Sequence, residues 1–330
     1  MGESSGGGLF RRRAGCLLAG LGAFLLVTGI LLRTYVYDHV AVVPADAHAI
    51  TTLRATGATY FDPARLTTRK GLRVTAISTL RGDVSAARGD TEVFDTFLAV
   101  QAFDGTPIQF VQSRLALDRH SGRLVWCCGA HIGGNHLVRE SGISVKFPFF
   151  SRKTTYPVFD ADVARPVPAA YTGEETLDGI RVYRYVQVLP ATQIGTRRVP
   201  PSVLGLPSRP ELITVRRIEA TTMTFWVEPV TGVPMKIEEN TRQILQTRSK
   251  RHTLVVFAAD LRQRPSEVAA SVRRYRSQSV ELNLVHNVLP LVNAIGGALL
   301  IPFGAVLACA PRRRASVVPV SDGALETGAP

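Results

Sequence analysis

"RRRAGCLLAGLGAFLLVTGILL" (residues 11–32) sets three arginines before a stretch, Ala14 to Leu32, that carries no charge. "VLPLVNAIGGALLIPFGAVLACAPRRR" (288–314) repeats the design in reverse. Its apolar run from Val288 to Ala310 is interrupted mainly by Asn293 and is followed by Arg312, Arg313 and Arg314. Roughly 20 apolar residues in a helix cover a hydrocarbon core about 30 Å thick. Both runs therefore predict transmembrane helices, over 14–33 and 288–310. Arginines close to a helix end stay on the cytoplasmic side. Two spans bring both triplets to that side, so residues 1–13 and the disordered tail 311–330 are expected in the cytoplasm. Residues 34–287 are then extracytoplasmic and the protein sits in the cell membrane. Tyr35 and Tyr37 follow the first run at headgroup depth. A cleaved signal peptide is the competing reading, with "ADA" (45–47) as a cleavage-like site. That site lies well past the apolar run, and the run exceeds the roughly 7–15 residues of a signal core. The helix is read as retained.

The chain has 330 residues and a formal net charge of +13. Residues 34–287 hold 32 Lys+Arg against 23 Asp+Glu, an excess of 9. A basic external surface favours membrane lipids, an anionic envelope polymer or a protein partner. Its charges are scattered, and an extracytoplasmic domain has no access to nucleic acid.

The central region reads as β-structure. "GLRVTAISTL" (71–80), "GIRVYRYVQV" (179–188), "TMTFWVEPVTG" (222–232) and "HTLVVFAAD" (252–260) are rich in β-branched and aromatic residues. Three pairs of segments resemble each other in the same order: 70–79 with 178–187, 116–125 with Val227–Lys236, and 151–162 with 249–260. They suggest two related antiparallel β-meander units, about 50–165 and 170–261. The shared D/E-x-x-S/T-G element, at Asp118–Gly122 and Glu228–Gly232, is a turn signal. The acid caps the turn and the glycine supplies a positive φ. "LPATQIGTRRVPPSVLGLPSRPEL" (189–212) carries five prolines and predicts a long exposed loop. From Ser266, read as an N-cap, Val268, Val272, Tyr275, Ser279 and Leu282 form one stripe of a long helix over 266–287 leading into the second span.

Motifs of catalysis are absent: no G-x-S-x-G, H-E-x-x-H, P-loop or dinucleotide fingerprint. No enzyme, cofactor or metal is expected. "LVWCCGAHIGGNH" (124–136) holds Cys127 and Cys128 with His131 and His136. Adjacent side chains diverge, so the two thiols are poorly placed to chelate one tetrahedral ion. Outside the cell membrane oxidation is favoured, and a vicinal disulfide is the preferred reading. "SVKFPFFSRKTTYPVFDAD" (144–162) interleaves aromatics with cations. Lys146, Phe147, Phe149, Phe150, Arg152 and Lys153 are candidates for lipid or polymer contact, with a strand pair burying its aromatics as the stronger structural alternative.

Taken in order, "VVPADAHAITTLRATGATYFD" (42–62), "DRHSG" (118–122), "GISVKFPFFSRKTTYPVFD" (142–160), "YTGEETLDGIRVYRYVQ" (171–187) and "FWVEPVTGVPMKIEE" (225–239), between two spanning helices, resemble the actinobacterial porin PorA-like family. The resemblance covers about Gly15 to Arg314. It implies a membrane protein with a β-rich external domain, and the family's name implies a pore. A pore requires oligomerisation, because two spans enclose no channel, and neither span offers a charge ring to line one. The reading of the residues is a non-enzymatic, membrane-anchored cell-envelope protein whose β-domain binds a lipid, wall polymer or partner protein. A pore-forming subunit is the alternative.

Overall fold

A computed structural model describes residues 6–309, so the expected disordered tail and the topology residues Arg312, Arg313 and Arg314 lie outside the described residues. The chain divides into two units, one holding the terminal apolar helices and the other Val36–Leu284.

In the first unit, helix α1 (Gly6–Leu31) pairs with the C-terminal helix (Leu289–Cys309). At 1.5 Å per residue they measure about 39 and 32 Å, long enough to cross a bilayer. Gly15, Gly22 and Gly29 recur every seven residues on one helix, and Pro290, Gly297 and Gly304 do so on the other. All six are buried. A seven-residue period keeps one stripe facing its partner over successive turns. A Cβ built on Gly304 would lie 2.6 Å from Gly15 O, and one on Gly297 would lie 2.6 Å from Gly22 O. The backbones touch along the seam, as small residues allow in lipid. Asn293 lies in it, its Cβ 3.2 Å from where a Cβ on Gly29 would be.

The second unit opens with a short helix α2 (Tyr37–Val40). It then builds one antiparallel sheet of eleven strands: β1 (His48–Asp62), β2 (Thr67–Gly82), β3 (Thr91–Ala102), β4 (Pro107–Asp118), β5 (His131–Ile132), β6 (Tyr156–Asp160), β7 (Arg165–Leu177), β8 (Ile180–Val199), β9 (Ile213–Val227), β10 (Pro234–Gln246) and β11 (Thr253–Arg262). The order is β5-β4-β3-β2-β1-β11-β10-β9-β8-β7-β6, a half-barrel. Every neighbour in it is consecutive in the chain except β1 and β11, which pair at the centre. The end of β4 is linked to the edge strand β6 by a run of bridges, Leu117 to Leu124, Arg123 to Ile143 and Ile143 to Val158. Leu117, Leu124, Phe94 and Phe159 form a buried cluster there.

Three details depart from the sequence reading. The proposed repeats lie in one sheet and do not share a strand plan, and β6, in the first of them, pairs with β7 of the second. β3 lies between β2 and β4, whereas their counterparts β8 and β9 pair directly. The proline-rich stretch is strand as far as Val199. Pro190 falls where the β8–β9 register shifts, so its missing N–H breaks no regular ladder. Val199 and Leu204 then pack with Val215 and Leu245 in a core cluster, which ties the remaining loop down. Helix α3 (Pro265–Asn283) is capped by Arg264, not Ser266. Pro265 takes the first helical position, and the Glu267 carboxylate accepts the Arg264 N–H at 3.0 Å. Its stripe is as expected at Val268, Val272 and Leu282, which are buried. A π-turn (Leu284–Val288) joins it to α4, the C-terminal helix Leu289–Cys309.

The two D/E-x-x-S/T-G elements adopt the same turn. Asp118 accepts Ser121 N–H and O–H at 2.7 and 2.6 Å; Glu228 accepts Thr231 N–H and O–H, both at 2.8 Å. Gly122 and Gly232 have φ of 69° and 73°. A Cβ on Gly232 would also collide with the carbonyls of Phe147 and Pro148. Gly57, at φ 89° in a β1 bulge, has open space beside it. Gly57→Ala is therefore expected to cost only its φ strain, about 1 kcal/mol, and Gly232→Ala roughly 3 kcal/mol or more. Thermal melts of the detergent-solubilised chain check this; equal losses would contradict the packing at Gly232.

Candidate functional site

The segment 145–151 is held between these twin turns. A Cβ on Gly122 would approach Lys146 Cγ at 3.4 Å. On the other side, Phe147 N–H donates to Gly232 O at 2.8 Å, Phe150 N–H to Val230 O at 3.1 Å and Ser151 N–H to Pro229 O at 2.7 Å. Successive side chains then part company. Phe147 is buried, stacked on Tyr185 at 4.7 Å between centroids and edge-on to Tyr156 and Phe225. It is a core residue rather than a lipid contact, the outcome expected when an aromatic follows a strand-like turn into a sheet face. Burial pushes the Tyr185 hydroxyl well above its ordinary range, and that hydroxyl donates to Arg152 O at 2.7 Å.

Lys146 and Phe149 take the other direction. They line a cavity of about 780 Å³ at the end of the sheet where β1 begins and β11 ends. Its walls are the segment after α2, the start of β1, the β9–β10 turn and one face of α3, all within the second unit. Val42, Val43, Leu80, Val145, Val233 and Ile237 supply apolar surface. His48, Glu267, Arg274 and Gln278 supply polar edges. Glu267 is already engaged: its carboxylate pairs with Arg54 at 2.6 Å and caps α3.

Lys146 is 6% exposed, and its Nζ has no hydrogen-bond partner among the described residues. It lies 3.2 Å from the centroid of the Phe149 ring. Burial pulls its ammonium down to about 7, since a charge removed from water without a partner favours its neutral form. A different charged group is buried inside the sheet. Glu219 accepts from Thr241, Thr221 and Gln243 at 3.2, 3.1 and 3.2 Å, and burial, then the nearby Asp162, raises its pKa.

The other candidates are dispersed. Phe150 meets Tyr37 at 5.8 Å between centroids. Arg152 is exposed, and Lys153 pairs with Glu174 at 2.8 Å. Arg11, Arg12 and Arg13 are exposed on α1. Cys127 and Cys128 are joined in a disulfide, with Cys128 at φ 60° and Ala130 N–H closing the turn on Cys127 O at 2.9 Å. His131 and His136 meet edge to face with ring centroids 4.9 Å apart, and no group of three metal-ligating side chains occurs among the described residues.

The sequence profile of the family described as Porin PorA matches residues 14–306, from α1 through the half-barrel to α4. The chain belongs to the Porin PorA family. It is also similar to a protein named Porin PorA from Corynebacterium amycolatum, 41% identical over 49 residues. That stretch is 15% of this chain and 13% of that relative's length. The family match spans all the walls of the Lys146 cavity.

Sequence reasoning named Lys146 and Phe149 but missed His48, Ile237, Glu267, Arg274 and Tyr275. These reach the cavity from three distant segments, and no local pattern marks them. Two measurements follow. In delipidated protein, Lys146→Met should raise stability on the order of 2–4 kcal/mol at neutral pH by removing an uncompensated buried cation. The folded-state pKa of Lys146 is depressed, so the penalty is full below about pH 7 and fades as pH rises towards 10.5. The gain should therefore shrink in melts recorded at high pH; a gain that grows with pH would contradict the assignment. Separately, alkylation without reductant should add at most two groups to the intact mass, at Cys16 and Cys309, and four after reduction.

Proposed function

We propose that this chain is a non-enzymatic cell-envelope protein, anchored in the cell membrane by two helices, whose β-domain takes up a lipid or similar amphiphile outside the cytoplasm. The observation that carries the reading is the cavity: apolar walls with polar edges suit a molecule that is itself half apolar. Its walls include the segment that follows α2 in the chain and the helix that precedes α4 in sequence. Arg11, Arg12 and Arg13 ahead of the first span, and the second arginine triplet after the other, support cytoplasmic termini.

Membership of a family named for porins favours a second reading, a pore-forming subunit. Within one chain the two helices meet backbone to backbone at their glycines, which leaves no lumen between them. A conducting form would need several chains and a rearranged or assembled half-barrel. The two readings part in one preparation. Purified full-length protein should carry co-purifying lipid, detected by native mass spectrometry, and should give no single-channel steps in planar bilayers. Reproducible steps without bound lipid would establish the pore instead.

A further inference from the structure

The cavity's chemistry is more specific than its size. Most of its lining is apolar, and its polar groups at the edges are either exposed or satisfied. Glu267 is bound to Arg54 and to the α3 cap, and Arg274 reaches His48 O at 3.4 Å. Asp46 is exposed. Among the described residues, Lys146 alone of the cavity's charged side chains is buried with an ammonium lacking any hydrogen-bond acceptor, and no carboxylate of those residues comes within 4.0 Å of it. A buried group of this kind either gives up its charge or is completed by a partner.

The backbone around Lys146 is costly to rearrange, so the residue is held at this place. Phe147 N–H is bonded to Gly232 O, and Gly122 lies against the lysine's stem. The side chain has one neighbour able to answer its charge, the face of the Phe149 ring, and Phe149 also lines the cavity. A ring face attracts a cation more weakly than an anion hydrogen-bonded to it does. An acidic group reaching the ammonium would out-compete the ring for it, at the cost of moving the Phe149 side chain.

Building on the amphiphile-binding reading, we propose that Lys146 anchors the acidic head group, carboxylate or phosphate monoester, of a single-chain amphiphile whose hydrocarbon lies along the wall formed by Val42, Val145, Val233 and Ile237. The depressed basicity of Lys146 fits this: an arriving anion restores the charged form, so binding is coupled to proton uptake by the lysine.

The test uses the full chain in phosphatidylcholine nanodiscs and three diazirine probes of equal chain length, a fatty acid, an alkyl phosphate and the uncharged alcohol. Labelled peptides are mapped by mass spectrometry in wild type, Lys146→Met and Lys146→Arg. In wild type at least one acidic probe should label the peptides carrying 42–52 and 231–237 about tenfold more than the alcohol does. The relative strength of the two acidic probes tells carboxylate from phosphate. Lys146→Met should bring acidic labelling down to the alcohol's level and leave the alcohol's labelling unchanged; Lys146→Arg should keep most of it. Undiminished acidic labelling in Lys146→Met overturns Lys146 as the anchor while leaving an amphiphile cavity in place. Absence of labelling by all three probes in wild type overturns the cavity reading itself. Equal labelling by acid and alcohol in wild type overturns the anionic head group.

Discussion

The pairing of β1 with β11 is the contact on which the second unit depends. Without it the strands form two separate meanders with exposed edges. With it, Tyr60 faces Phe257 and Thr59 faces Ala258, and eleven strands become one sheet. The apolar cluster beneath that junction takes residues from both ends of the chain, including Leu53, Tyr60, Val74, Phe257 and Leu261. Such long-range pairing must pay loop-closure entropy over some two hundred residues before its contacts form. The same pairing sets the start of β1 beside the end of β11, and the cavity lies at that end of the sheet, lined by α3, the β1 entry segment and the β9–β10 turn.

The twin turns do a second, smaller job of organisation. Each is a capped reversal with a glycine at positive φ, and together they hold the segment 145–151 from both sides. A residue gripped in this way cannot choose its surroundings by rotating away. Phe147 enters the aromatic core, and the turn at Phe149–Phe150 after Pro148 brings Phe149 back to the cavity beside Lys146. A buried lone cation is a liability in a fold that would be more stable with methionine there. That liability is what separates Lys146 from the many scattered surface lysines and arginines of this basic protein.

Some of this was legible in the residues alone. Strands at 71–80, 179–188, 222–232 and 252–260 follow from β-branched and aromatic content, and the structure has strands over nearly all of them, β9 ending at Val227 where the Glu228–Gly232 turn begins. The turn chemistry of Asp118–Gly122 and Glu228–Gly232 was readable because capping and positive φ are local demands. The helix stripe at Val268, Val272 and Leu282 was readable for the same reason, though its cap was misplaced by two residues because a proline at the first turn outweighs a serine behind it. Heptad glycines were present in the sequence and passed over; their spacing carries meaning only once two helices are known to face each other.

The sequence by itself determined two apolar helices at the ends, a β-rich region between them and the turns that reverse its strands. These depend on composition and on neighbours a few residues away. Tertiary structure alone decided that the two halves share one sheet, that Phe147 is core while Lys146 is a buried cation at a cavity, and which distant residues complete that cavity. Those outcomes depend on which strands meet across the chain and on which side of a gripped segment each side chain falls. Desolvation of a single ammonium is set by the packing of segments remote in sequence, so no local pattern of residues encodes it.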